Sequence, residues 1–296
     1  MRIAVIDLGT NTFNLLISQV NGGKLHLIHT EKESVLLGMG GINQSIITVD
    51  ALNRAKETLN LFKSKCEIFH VKSIQAIGTS ALRSSKNNYE LVDYAKDILD
   101  IDINIIDGFK EAEYIYRGVK WGYDFFQPAI VMDIGGGSTE FIFADKKGIN
   151  EMTSLDIGVS RIFQLFNEPE QCTQDIIKLI YKFLNDKKST FFTKVDADIL
   201  IGSSGSFETI YEMIYMKSFT EYSSSIEIPL EKVKLTLDWI ITSTLKQRLD
   251  NNWIVDFRKR MLPIAALKIL WVINHFSIKK IMISPFSLKE GVLMTN

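Results

Sequence analysis

A chain of 296 residues is longer than a single hydrophobic core usually grows, so two domains with a cleft between them are expected. Hydrophobic residues at 46% and charged residues at 23% mark a folded globular protein and exclude a disordered or fibrous one. A net charge of −1 excludes the global basic field that drives sequence-independent nucleic-acid binding, so no nucleic acid is expected as partner.

In chain order, Arg2 to Ile6 is a short apolar run that reads as a strand, followed by D-L-G-T-N-T and a second strand from Phe13 to Val20. Asn21-Gly22-Gly23 then has turn chemistry. Asp7 breaks the first apolar stretch and no small-residue cleavage site follows it, so a signal peptide is not expected. Leu52, Ala55, Leu59 and Phe62 share one helix face, with Asp50 placed as the cap. Ile74 to Ile77 is a strand that runs into G-T-S. A helix starting near Asp107 carries Ala112, Ile115, Tyr116 and Val119 at the apolar spacing and ends around Gly122.

Ala129 to Met132 opens a second unit of the same design: a strand, then D-I-G-G-G-S-T-E, then Phe141 to Ala144 and a turn at Lys146-Lys147-Gly148. Ile199 to Ile201 runs into G-S-S-G-S, as Ile74 to Ile77 runs into G-T-S. The interval from Asp7 to Gly78 nearly equals that from Asp133 to Gly202, so the chain is expected to hold two similar halves meeting near residues 122–128. Strands alternating with helices give an α/β class. Met261 to Ile273 is interrupted by Lys268 and falls short of the roughly 20 residues a membrane helix needs. It reads as a buried helix, with core the preferred place for Trp271, and no membrane partner is expected. Cys66 and Cys172, the only cysteines, make neither a disulfide framework nor a zinc spacing, which fits a reducing compartment and a cytoplasmic location.

The loops carry the chemistry. A tight turn of glycine and hydroxyl residues after a strand points several backbone N–H groups one way and makes a cradle for phosphate oxygens. The candidates are Gly9, Thr10, Asn11, Thr79, Ser80, Gly135, Gly136, Gly137, Ser138, Gly202, Ser203, Ser204, Gly205 and Ser206. An Asp opening such a loop repels an anion unless it holds a divalent cation, which makes Asp7 and Asp133 candidate metal residues. Four such loops in two matched pairs are expected to converge on an interdomain cleft. The four histidines, His26, His29, His70 and His275, lie outside these loops, which argues against a zinc or phosphohistidine mechanism.

V-I-D-L-G-T-N-T-F, I-G-T-S-A-L-R, D-G-F-K-E-A-E-Y-I-Y-R-G-V, M-D-I-G-G-G-S-T-E, L-D-I-G-V-S-R, I-G-S-S-G-S and the late S-P-F-S-L-K-E-G occur in the order of one family. Together they resemble the exopolyphosphatase and guanosine pentaphosphate phosphohydrolase family over nearly the whole chain. The resemblance implies a duplicated ribonuclease H-like fold of the actin-like ATPase kind. Residues 1–123 would form one lobe and residues 124–285 the other, with a C-terminal helix at about 286–296 packing back on the first. It implies Mg²⁺ or another divalent cation as cofactor, a homodimer, and polyphosphate or guanosine pentaphosphate as substrate. The family's catalytic base falls on Glu111, with Lys110 replacing a second acidic position of that motif. Without the resemblance, Glu111 is a first-turn carboxylate off the apolar stripe that complements the helix dipole. Arg83 is expected to reach the transferring phosphoryl group. Asp133 and Glu140 match acidic positions that serve the metal, and Arg161 and either Arg258 or Arg260 are further phosphate candidates.

The resulting expectation is an exopolyphosphatase that releases terminal orthophosphate by metal-assisted attack of water. Guanosine pentaphosphate 5′-phosphohydrolase is the alternative, because both substrates demand the same cleavage. An ATP-dependent kinase of the same superfamily and a non-catalytic alarmone or polyphosphate sensor are the further readings. The kinase needs an adenine pocket for which the sequence has no signature, and Glu111 with Arg83 weighs against the sensor.

Overall fold

The computed structural model describes residues 1–21, 24–219 and 223–294, so Gly22 and Gly23 of the expected turn lie outside the described residues. Strands β1 (Arg2–Leu8), β2 (Thr12–Asn21) and β3 (Lys24–Ser34) form an antiparallel meander. Helix α1 (Val49–Ile68) then leads to β4 (Ser73–Gly78), which lies parallel to β1. The short α2 (Ser80–Ser84), then α3 (Tyr89–Leu99) and β5 (Ile103–Ile105), complete a sheet of order β3-β2-β1-β4-β5. Thr48, not Asp50, caps α1: its side chain accepts from the Ala51 amide. Asp50 sits inside the first turn, where its charge complements the helix dipole instead.

Helix α4 (Gly108–Gly122) joins the halves and is capped by Asp107, which accepts from the Lys110 amide. The second half repeats the meander as β6 (Ala129–Ile134), β7 (Thr139–Asp145) and β8 (Gly148–Leu155). It continues through α5 (Val159–Leu165), α6 (Gln174–Asp186) and α7 (Phe191–Lys194) to β9 (Ile199–Ser203), parallel to β6. Helix α8 (Gly205–Tyr215), strand β10 (Ile226–Ile228), helices α9 (Leu230–Thr242), α10 (Leu245–Leu249) and α11 (Leu262–His275), strand β11 (Lys280–Ile283) and helix α12 (Leu288–Leu293) follow. The sheet order is β10-β11-β9-β6-β7-β8. Without the antiparallel edge strand β10 it matches the first sheet strand for strand, which is the duplicated ribonuclease H-like α/β fold.

The duplication extends to register. Asp7 stands opposite Asn14 across β1 and β2, and Asp133 stands opposite Glu140 across β6 and β7. Each Asp follows an unbroken run of four buried apolar residues, Ile3–Ile6 or Ala129–Met132, so core packing of those side chains delivers its carboxylate to the sheet's end.

One core cluster packs the first sheet against α1 and α3, and another packs the second sheet against helices that include α5, α6, α9 and α11. A third joins Val5, Leu16, Ile115, Val119, Ile142, Ile201 and Val292, so α4 and α12 are held between the two sheets. The backbones of these helices touch. A Cβ on Gly118 would stand 1.9 Å from the Ser287 carbonyl oxygen, and one on Gly291 would stand 1.8 Å from that of Tyr114. Any side chain there forces α12 away from α4. Helix α11 is the buried helix expected from Met261 to Ile273; Trp271 lies in the core and donates from Nε1 to Asn185. No helix among the described residues is long and apolar enough to cross a membrane.

Candidate active site

The β1–β2, β6–β7, β4–α2 and β9–α8 loops open onto one cavity of about 160 Å³. Gly9, Thr10 and Asn11 line it from the first meander, Thr79 and Ser80 from the start of α2, Gly135 to Ser138 from the second meander, and Ser204 to Ser206 from the start of α8. The carboxylates of Asp7, Asp133 and Glu111 face the same space.

The loop from Gly135 to Ser138 is turned by α5. The carbonyls of Gly135, Gly136 and Gly137 accept from the amides of Val159, Ser160, Arg161 and Gly158. Among the described residues no hydrogen bond engages the N–H of Gly136 or Gly137, which leaves both for a ligand. Their lack of side chains serves close approach of the two halves. A Cβ on Gly136 would stand 2.7 Å from Asn11 Oδ1, and one on Gly137 would stand 2.5 Å from Ser80 Oγ. Ser80 Oγ is itself buried without a partner, although it lines the cavity. An orphaned hydroxyl beside two unengaged amides is what an anion site presents.

Burial sets the charges. Desolvation raises the Asp7 carboxyl to about 6, against the opposing pull of a 2.9 Å hydrogen bond from Asn14. Asp133 is likewise raised by burial, while Ser287 donates to its Oδ2 at 2.6 Å. Glu111 is raised well above the usual carboxylate range, first by burial and then by the nearby Glu140, with Arg83 pulling the other way. Glu111 lies off the apolar stripe of α4 by spacing and is nevertheless buried, because α4 packs against β7, β8 and α12 together.

Six expected residues, Arg83, Glu140, Gly202, Ser203, Arg161 and Arg260, are not part of the cavity wall. Arg83 does not reach the cavity: its Nη1 donates to the Ile106 carbonyl at 2.9 Å and to Glu111 Oε2 at 2.8 Å, which holds the guanidinium behind the carboxylate. Glu140 is buried behind the loop and accepts from Ser154 at 2.7 Å. Gly202 lies over the Phe207 ring, and Ser203 donates to the Phe286 carbonyl, so both support the β9–α8 turn from beneath. Arg161 is tied to the carbonyls of Gly137 and Ile42, bracing the glycine loop against the first half. Of the late arginines, Arg258 lines the cavity and Arg260 is exposed beside Glu170.

A profile of the Ppx/GppA phosphatase family matches residues 16–296. The chain belongs to that family. The structure of an exopolyphosphatase from Cytophaga hutchinsonii is 34% identical, covers 100% of this chain and 97% of that chain, and superposes with a TM-score of 0.95. A Ppx/GppA enzyme from Aquifex aeolicus, 24% identical over 100% of this chain and 99% of its own, has the same fold with a TM-score of 0.83. A Vibrio cholerae guanosine-5′-triphosphate,3′-diphosphate pyrophosphatase is 26% identical over 98% of this chain, which spans 58% of that relative's length.

For a Ppx/GppA chain the donor set matters as much as the fold. Among the described residues no three carboxylate, histidine or cysteine side chains gather into a metal cage, so Asp7, Asp133 and Glu140 do not form the expected trio. The strand register explains this: Glu140 turns to Ser154, and of these three only Asp7 and Asp133 line the cavity. Two carboxylates among hydroxyls, with room for phosphate oxygens and water, still fit Mg²⁺, which typically takes one or two protein carboxylates and completes its shell from the substrate.

Sequence reasoning missed the segment from Ser284 to Lys289, which lines the cavity along its whole length, and also Asn14, Lys32 and Glu208. The segment lies within S-P-F-S-L-K-E-G, whose serines and lysine were the available signal. Lys268 was visible as the one charge in the late apolar run. It is fully buried, donates from Nζ to Thr139 Oγ1, and is driven down to about 7 by burial despite the fields of Glu140 and Asp133.

Proposed function

We propose that this protein is an exopolyphosphatase that releases terminal orthophosphate from inorganic polyphosphate by attack of water. The observation that carries the reading is Glu111: a buried carboxylate on the cavity wall, locked by Arg83 at 2.8 Å, in a cavity shared with the glycine loop. The free amides of Gly136 and Gly137 and the hydroxyls of Thr10, Ser80 and Ser138 hold the terminal phosphoryl oxygens. Glu111 accepts a proton as the oxygen of a positioned water bonds to phosphorus. The bridging P–O bond breaks, and the shortened chain leaves as the anion. Burial raises the Glu111 carboxyl and so makes it a stronger base for that transfer, while Arg83 opposes part of the rise and aims the group. Asp7 and Asp133 would hold Mg²⁺, which supplies neutralisation of phosphate charge when bound.

The Vibrio relative's name supports a second substrate, guanosine pentaphosphate, cleaved at its 5′ terminal phosphate by the same groups. Within this reading the protein works as a cytoplasmic homodimer, as the family resemblance implies. The test is orthophosphate release with Mg²⁺ from polyphosphates of several lengths and from guanosine pentaphosphate. Glu111→Gln is expected to lose about 10²- to 10⁴-fold in kcat while still binding substrate. Full activity in that variant would remove Glu111 from the mechanism, and tight binding without release by the wild type would favour a sensor.

A further inference from the structure

Four charged residues outside the phosphate loops line another part of the cavity: Lys32 from β3, Glu208 from α8, Arg258 from the 3-10 turn Asp256–Arg258, and Lys289 from α12. Lys32 Nζ donates to Glu208 Oε2 at 3.1 Å, and Arg258 Nη2 stands 3.9 Å from the same oxygen. Lys289 acts on Glu208 and on Asp7 through space and pairs with Glu290 at 3.0 Å. The cluster adjoins the phosphate cradle: a Cβ on Gly205 would stand 1.6 Å from Arg258 Nη2, so the guanidinium lies directly on that loop. Arg258 Nη1 also donates to Thr209 at 3.2 Å, which fixes its plane.

Three cations from three separated segments thus converge around one carboxylate beside a site built for a phosphoryl group. Glu208, half-buried, is held below the usual carboxylate range by Lys32, Arg258 and Lys289 against the desolvation that would raise it, so it stays an anion. An anion on the wall of a polyanion site opposes the ligand unless it takes part in an exchange.

We infer that Glu208 is a resident counter-anion seated where the second phosphate of a linear oligophosphate belongs, so that Lys32, Arg258 and Lys289 admit linked phosphates in exchange for it. A lone orthophosphate in the Gly135–Gly137 cradle is expected to gain less from these cations than a linked chain does. A linked neighbour brings more charge and more acceptor oxygens than a carboxylate and takes them over. The exchange favours chains over the product and spares the empty cleft an unpaired cluster of cations. The inference rests on the oligophosphate reading above and adds the subsite behind the terminal phosphate.

The experiment is calorimetric titration with tripolyphosphate and, separately, with orthophosphate, using Glu111→Gln as parent so that turnover does not intrude. Adding Glu208→Gln is expected to tighten tripolyphosphate roughly three- to tenfold and to leave orthophosphate unchanged, because a competing charge has been removed. Adding Lys32→Met is expected to weaken tripolyphosphate about tenfold and to flatten its salt dependence. If Glu208→Gln weakens tripolyphosphate as Lys32→Met does, Glu208 is a brace for the cations and the inference is overturned. Unchanged binding of both ligands also overturns it. Should Glu208→Gln not fold, Glu208→Asp withdraws the oxygen from Lys32 and must still tighten tripolyphosphate; unchanged or weaker binding then defeats the idea. The rate of Glu111→Gln reads the catalytic assignment and the binding ratio reads Glu208, so either fails alone.

Discussion

The two meanders share strand order and register but settle their buried aspartates differently. In the first half, Asp7 faces Asn14, a neutral amide that donates to it at 2.9 Å. In the second, Asp133 faces Glu140, and the paired carboxylates are offset by hydroxyls and by the ammonium of Lys268. Duplication thus supplied the frame, and one divergent position made the frame polar. The second half carries excess buried charge and, through Glu140, raises Glu111 on the intervening helix. A neutral partner in the first half leaves Asp7 open to the cavity.

Removing the guanidinium that opposes this excess is expected to have the largest effect. Arg83→Met leaves Glu111 buried and unpaired, at a cost of about 3–5 kcal/mol in urea unfolding. Arg83 lowers the Glu111 pKa, so its loss moves the acid limb of the pH–kcat profile to higher pH. An unmoved limb would mean that Glu111 is not the titrating base.

Glu140→Asn gives Asp133 a neutral amide partner, as Asp7 has in the first hairpin. Turnover is expected to fall about 10- to 100-fold, as when a supporting carboxylate is lost. The acid limb should move to lower pH, because a negative neighbour of Glu111 is gone; a shift upward would contradict the charge coupling.

The buried ammonium gives a smaller effect with its own sign. Lys268 is depressed to about 7 when folded and has an ordinary lysine value when unfolded, so the unfolded chain binds more protons between those values. Stability therefore rises with pH across that window. Roughly 2 kcal/mol is expected between pH 7.5 and 9.5 in the wild type. Lys268→Met should lack that part of the gain, and an identical pH dependence in both proteins would refute the assignment. Smallest of all, Asn14→Ala removes one hydrogen bond to Asp7, worth about 1 kcal/mol. It should raise Asp7 further above about 6, read by carboxyl NMR titration.

Much of this was legible in the sequence because it is periodic or local. Strand–loop–strand units, two matched intervals and glycine turns after apolar runs are written in residue order, and they located the loops that line the cavity. Arg83 was legible as a candidate, but its partner was not. Five residues past Gly78 says nothing about which way a helix of five residues aims its last turn, and hydrogen bonds to Glu111 and to the Ile106 carbonyl hold it there. Glu140 was misplaced by the same limit: its strand position is fixed locally, but the direction of its carboxylate is decided by Ser154 on the neighbouring strand.

By itself, then, the sequence determined the duplicated α/β frame and the glycine and hydroxyl loops, since periodicity and turn chemistry are carried by neighbours along the chain, whereas Glu111 was singled out by the family resemblance alone. Only the tertiary structure decided which charges meet. Lys32, Glu208, Arg258 and Lys289 lie far apart in the sequence, and no local pattern marks them as partners. They are brought together by sheet packing and by the glycine contact that seats α12 on α4, because an ion pair depends on distance in space.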